Sequence, residues 1–175
     1  NYNSTTNSKK RKEFIESLSL KYNLKFISRD INLSSRNFES NARDIRYKLL
    51  NEYADKNNIN LILTAHHKDD QLETLYMKYE DNADWISFLG IRAKYNKILR
   101  PLLDISKNTI LEYSQNKKLV WVNDISNNNL NFRRNKIRLK TLPLILKQNP
   151  QLAEDLFNKN YKCIKKFKLL KIRIE

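Results

Sequence analysis

Apolar positions along the chain follow two alternating rhythms. From Ser8, "SKKRKEFIESLSLKYN" places Phe14, Ile15, Leu18 and Tyr22 on one helical face, with Ser8 as the N-cap. "LKFIS", residues 24–28, alternates as a strand does. A second helical pattern covers residues 40–57, with Ala42, Ile45, Leu49, Leu50 and Tyr53 as its apolar face. "NLILTA", residues 60–65, is the continuous apolar run expected of a strand buried on both faces of a parallel sheet, and residues 69–79 give a third helix. The polar residues 1–7 read as a loop.

Helix, strand, helix, strand, helix is the pattern of βαβ units, so the spacing predicts an α/β, Rossmann-like fold: a parallel sheet with flanking helices. Further on, "KILRPLL" (97–103) predicts a short strand ending at Pro101, a helix starts near Ser106, and "LVWVNDISNNN" predicts a strand running into an Asn-rich turn. From about Leu130 the pattern is helical and basic, with another helix after Pro150. The expected division is an α/β domain over 1–128 and a basic helical extension over 129–175.

Composition narrows the partners. Lys and Arg number 34 against 19 Asp and Glu in 175 residues, a net charge of +15, which points to a polyanion such as nucleic acid. A solvated lysine-rich surface is the plainer alternative. A single cysteine, Cys163, excludes an internal disulfide or a CxxC site. No apolar stretch approaches the roughly 20 residues of a membrane span and no signal peptide is visible, so a cytoplasmic protein without a membrane partner is expected. The chain opens at Asn1 and holds one glycine, Gly90. Loops that cradle phosphate need glycines, so any such loop is expected upstream, and the chain reads as a fragment.

Three stretches carry candidate chemistry. In "TAHHKDDQLET", residues 64–74, His66 and His67 follow a predicted strand, where ligands of open parallel sheets sit. Asp70 and Glu73 share a helix face, and Asp70-Gln71-Leu72-Glu73 also fits a capping box. A metal site is disfavoured, because the histidines lack the i, i+4 spacing of a zinc helix and cysteine ligands are missing. Capping does not explain the paired imidazoles, which can donate to phosphate or take a proton. In "ARDIRY", Arg43 and Arg46 point to one side of a helix, a pair suited to phosphate or simply to solvent. In "NFRRNKIRLK", Arg134 and Arg138 share a face with Asn135 alongside. Their repulsion costs roughly 0.2–0.5 kcal/mol, so something anionic would stabilise the pair. The tail "KKFKLLK" reads as a packing stripe of Phe167 and Leu170 among solvated lysines.

Taken together, "ARDIRY", "TAHHKDDQLET", "LGI", "RPLL", "WVNDISN" and "RRNKIR" followed by "LP" resemble, in order, the motifs of the tRNA(Ile)-lysidine synthases, ATP-pyrophosphatases of the PP-loop superfamily. The resemblance runs from about residue 1 to 150. It implies a PP-loop fold and a ligase that uses ATP, with Mg2+, to adenylate the wobble cytidine of an isoleucine tRNA with a CAU anticodon. Free L-lysine then displaces AMP to form lysidine. It further implies that His66, Arg46 and Arg138 serve the phosphates or reacting centre, and that Asp70 and Glu73 receive the substrate ammonium. Arg43, His67, Arg134 and Asn135 would assist in nucleotide or tRNA binding. The family's SGGxDS loop is absent from the chain, so the piece alone is expected not to turn over. A related 2-thiocytidine-type enzyme and a non-catalytic basic RNA-binding module are the competing readings, and a homodimer is left open.

Overall fold

The computed structural model describes residues 6–31 and 38–172, and the loop expected over residues 1–7 lies mostly outside them. Residue contacts divide the chain into two compact units.

One unit combines residues up to Asn58 with Val120–Asn129. It contains helices α1 (Thr6–Lys21) and α2 (Phe38–Lys56). Helix α1 starts two residues before the expected cap, so Ser8 is a buried helical residue. Arg11 on α1 is ion-paired with Asp124, whose Oδ1 in turn accepts from Ser126 N–H at 3.0 Å and caps the short 3-10 turn Ile125–Asn128. The Asn-rich stretch is thus a turn, as expected. The strands expected at 24–28 and 119–122 are not formed. Leu24, Ile27 and Leu119 to Val122 are exposed, and their β-propensity finds no ladder partner among the described residues.

The other unit, Ile59–Leu119 with Leu130–Glu175, carries the sheet and the principal core. Strand β1 (Ile62–Leu63) runs parallel to β3 (Ile98–Leu99), and β2 (Lys94–Tyr95) pairs antiparallel with β3 through a two-residue turn. The order is β1-β3-β2, so the sheet is mixed rather than wholly parallel. Its strands are far shorter than the apolar runs suggested. Leu61 and Leu63 are exposed and Ile62 is half-buried, the alternation of a strand that is outermost among the described ones.

Helices supply most of this unit: α3 (Lys68–Glu80), α4 (Lys107–Asn116), α5 (Arg133–Lys136), α6 (Leu142–Gln148) and α7 (Gln151–Ile172). Ser106 caps α4 by accepting from Thr109 N–H at 3.1 Å. A π-helical turn, Ile137–Thr141, joins α5 to α6 immediately before Pro143. Proline has no N–H and its ring crowds the carbonyl four residues back, and a widened turn relieves that conflict. Residues from Leu130 onward do not stand apart: Leu75 and Tyr76 of α3 pack with Phe88, Leu89, Ile137, Leu142, Leu152, Leu156 and Cys163 in one core.

Glycine scarcity leaves a trace in the turns. Asn23, Asn58, Asn82 and Asn96 all have positive φ, as does Lys118. Asn tolerates the left-handed region better than other L-residues, and it ends α1, α2 and α3 where glycine usually would. Gly90 (φ +59°) is different, because an added Cβ would lie 2.8 Å from the Gln71 amide. Gln71 cannot swing aside: its Oε1 accepts from Ile91 N–H at 2.6 Å, and its Nε2 faces Asn160 Oδ1 at 3.4 Å. Asn160 Nδ2 donates to the Phe88 carbonyl at 2.7 Å, completing a buried polar strut between α3, the 88–91 turn and α7. Gly90→Ala is therefore expected to destabilise this unit by roughly 1–3 kcal/mol, read as a lowered urea midpoint. An unchanged midpoint would contradict the strut.

Candidate functional site

The site forms where β1 ends and α3 begins. Thr64 is still in the ladder, donating its N–H to the Leu99 carbonyl at 3.0 Å. Its Oγ1 lies 3.0 Å from His66 Nδ1, so the strand end sets the orientation of the half-buried imidazole.

Helix α3 starts one residue earlier than its periodicity suggested, which changes the capping. His67 is the N-cap and Asp70 the third helical residue; Asp70 Oδ2 accepts from His67 N–H at 3.0 Å. Asp70 thus closes the helix start from within, and Glu73 is not the capping partner. Asp69 does separate work, accepting from Lys107 N–H at 2.8 Å and tying the first turn of α4 to that of α3. Both acids favour helix N-termini, where partial positive charge collects.

The cation pair, Arg134 on α5 and Arg138 on the π-helical turn that follows it, is engaged by the protein's own acids. Arg134 donates from Nε to Glu73 Oε2 at 2.7 Å and from Nη2 to the Asp70 carbonyl at 3.1 Å. Arg138 grips the same carboxylate with two prongs, Nε on Oε1 and Nη2 on Oε2, the latter at 2.8 Å. Both guanidinium groups also approach Asp70 Oδ1, at 3.3 and 3.2 Å. The anion that the Arg134–Arg138 spacing called for is Glu73, whose side chain is only 3% exposed. Hydrogen bonding to that carboxylate is the main reason the Arg138 guanidinium holds its proton still more tightly than usual.

Glu73 therefore has both oxygens occupied by charge-assisted bonds and no direct opening for an ammonium. Asp70 is less committed: its arginine contacts are longer and its side chain is 15% exposed. The two arginines in turn each keep a guanidinium edge, Nη1, that no described residue engages. Two fixed cationic edges next to a partly open carboxylate can hold an anion on one side and a cation on the other.

The structure thus brings together His67, Asp70, Glu73, Arg134 and Arg138 directly, with His66 on the same strand-to-helix junction and Asn135 buried on α5. Arg43 and Arg46 lie on α2 in the other unit, both exposed. There Arg43 stacks over the Tyr47 ring at 5.4 Å, and Arg46 lines a cleft of ≈ 480 Å³ with Ile27, Leu49, Leu50 and Tyr53. Sequence reasoning missed three supports. Asp69 and Thr64 sat inside the quoted motif without an assigned role. Arg100 of "RPLL" is buried and donates to the Arg92 carbonyl at 2.6 Å, fixing the root of the β2–β3 hairpin. A charged residue inside an apolar strand run was the available signal.

A second ionic cluster is superficial. Arg133 bridges Glu80 and Asp81 at the end of α3, each at 2.6 Å, and the hydrogen bond holds the Asp81 carboxyl below its ordinary range. That contribution is present above the unfolded carboxyl pKa and is lost as pH falls through the depressed one; being fully exposed, it is small.

A profile of the PP-loop domain family matches residues 2–145. The tRNA(Ile)-lysidine synthase of Haemophilus ducreyi is 34% identical over 163 residues, 90% of this chain and 38% of that protein. That of Mesoplasma florum is 34% identical over 174 residues, 95% of this chain and 41% of the relative. That of Blochmanniella pennsylvanica reaches 42% over 120 residues, 66% of the chain and 23% of the relative. The chain thus spans about two fifths or less of these curated relatives. Among solved structures, a U34-tRNA thiolase from Methanococcus maripaludis, determined with its 4Fe-4S cluster, matches with a TM-score of 0.65 at 16% identity. The match covers 95% of this chain and 58% of that one, and it speaks to the fold.

Proposed function

The chain belongs to the PP-loop domain family, and from that premise we propose that the full-length protein carrying it is a tRNA(Ile)-lysidine synthase. It ligates free L-lysine to the wobble cytidine of an isoleucine tRNA with a CAU anticodon. Family membership makes ATP the energy source. The names of the relatives support the substrate, and the ionic lattice of Asp70, Glu73, Arg134 and Arg138 beside His66 is the observation that carries the mechanism.

In the proposed first step the cytidine 2-oxo oxygen attacks the α-phosphorus of ATP and the bond to pyrophosphate breaks. Negative charge builds on the α-phosphoryl and leaving oxygens, and preorganised donors there lower the barrier most. The open Nη1 edges of Arg134 and Arg138 and the imidazole of His66 are such donors. For Arg46 and Arg43, on the other unit, a role at the phosphates rests on the family resemblance alone, as do the supporting roles of His67 and Asn135 toward nucleotide or tRNA. Mg2+ arriving with the triphosphate would neutralise its charge and would call for no dedicated protein cage.

In the second step the ε-amino nitrogen of lysine, once its ammonium has lost a proton to solvent, attacks C2 of the cytosine, and the C2–O bond breaks so that AMP leaves with the former 2-oxo oxygen. The substrate ammonium needs a carboxylate before it can deliver its amine. Asp70 is assigned that contact, and Glu73 is assigned to holding the two arginines. This differs from a shared ammonium site for both acids, because the Glu73 oxygens are already taken.

The reading is tested by pyrophosphate release from ATP by the full-length protein. Release is expected with CAU isoleucine tRNA and to fall at least about tenfold with a tRNA of different anticodon. Release independent of tRNA would contradict it.

A further inference from the structure

Helix α7 has no part in the chemistry above. One face of it is committed to the core through Leu152, Leu156 and Cys163, with Phe167 packed behind them and Asn160 in the polar strut. Its acids are confined to the start, Glu154 and Asp155. From Leu156 to Leu170 there are five lysines, Lys159, Lys162, Lys165, Lys166 and Lys168, all exposed, and no carboxylate.

Two of these lysines are held by aromatic rings. Lys159 Nζ lies 3.6 Å from the Phe88 centroid, and Lys166 Nζ lies 4.4 Å from that of Trp85. None of the five has a carboxylate within ion-pair distance among the described residues. Lys162, Lys165 and Lys166 share a shallow groove with Leu169 and Leu170. Tyr161, 66% exposed, stands next to it.

Like charges three and four residues apart destabilise a helix. For Arg134 and Arg138 the fold answers that repulsion internally with Glu73. For the five α7 lysines no described residue supplies a paired acid, and the anion that fits them is external. An anionic lipid surface is the poorer match, because a helix lying in a membrane interface needs a continuous apolar face, and that of α7 is packed in the core except for Leu169 and Leu170 near its end. A ribose-phosphate chain needs only spaced cations and an exposed aromatic ring to stack against.

We propose that the outward face of α7, formed by Lys162, Lys165, Lys166 and Lys168, is a sequence-independent docking surface for the phosphodiester backbone of the tRNA substrate. The inference rests on the tRNA-modifying reading for its partner and adds the surface. It assigns positioning to α7 and anticodon discrimination to other parts of the protein.

The test is the salt dependence of tRNA binding by the full-length protein, followed by fluorescence anisotropy with CAU isoleucine tRNA and with an unrelated tRNA. The variant carries Lys162→Gln, Lys165→Gln and Lys168→Gln; Lys166 is kept because it packs on Trp85. A matched variant with Lys94→Gln, Lys117→Gln and Lys118→Gln controls for net charge. The α7 variant is expected to bind both tRNAs at least about tenfold more weakly near 0.1 M salt. Its slope of log affinity against log salt should drop by about 2–3, against less than about 1 for the control. With circular dichroism unchanged, a wild-type slope in the α7 variant overturns the proposal, as does loss confined to the CAU tRNA. Loss of binding to phosphatidylserine vesicles with tRNA binding intact would assign the face to membrane and overturn it as well. A wild-type protein that binds no tRNA would sink the functional reading itself, an outcome distinct from intact binding with an unaltered slope.

Discussion

Replacing Glu73 by alanine is expected to lower stability by about 3–5 kcal/mol and to abolish lysidine formation. The size follows from burial. Removing one partner of a buried ion pair leaves the other uncompensated, and here one carboxylate serves two guanidinium groups. Arg134 and Arg138 would then keep only the longer contacts to Asp70. Glu73→Gln separates fold from function. Its amide oxygen can still accept from one arginine while its NH2 group opposes the other, so stability should fall less. Turnover should nevertheless drop on the order of 100-fold, mainly in kcat, because a misplaced donor loses its effect at the developing charge. The pair of variants is read by urea unfolding and steady-state kinetics of the full-length protein. Wild-type stability in Glu73→Ala would remove the basis for an anchoring role.

The second large effect is expected at Asp70. Asp70→Asn keeps the side chain's size and an oxygen that can accept from His67 N–H, so the start of α3 should survive. It removes the charge proposed to receive the substrate ammonium. A hydrogen bond to a charged group contributes roughly 1.5–3 kcal/mol, so the KM for lysine should rise about 10- to 150-fold, with the KM for ATP nearly unmoved. The variants at 70 and 73 should therefore differ in kind, one acting on lysine affinity and the other on turnover. Equal rises in the KM for ATP and lysine in Asp70→Asn would contradict the division.

Much of this cluster's local layout was legible in the sequence. The strand-to-helix junction at residues 64–70, the common face of Asp70 and Glu73, and the need for an anion beside Arg134 and Arg138 all follow from local spacing. What spacing cannot show is that the two halves answer each other. Glu73 and its arginines are 61 and 65 residues apart, and only packing of α3 against the α5–α6 segment brings them together. The same limit explains the change at Asp70: whether a residue is the cap or lies three positions inside depends on where the helix begins, here fixed by Lys68 N–H donating to the Ile105 carbonyl.

The strands were the least legible elements. Residues 24–28 and 119–122 have the composition of strands, yet a strand exists only by pairing, and no ladder forms there among the described residues. Residues 94–95 lack an apolar run, and they pair because the turn at Asn96 folds them back onto Ile98–Leu99. The polar strut of Gln71, Asn160 and the 88–91 turn was invisible for a similar reason, since Asn160 interrupts an apolar stripe and finds its partners 72 and 89 residues away.

The full-length protein is proposed to join lysine to tRNA. The most direct measurement is incorporation of isotopically labelled L-lysine into acid-precipitable CAU isoleucine tRNA, with and without ATP. The account predicts stoichiometric, ATP-dependent incorporation that disappears when the anticodon cytidine is replaced by uridine. Absence of labelled lysine in the tRNA despite ATP consumption and intact binding would contradict it.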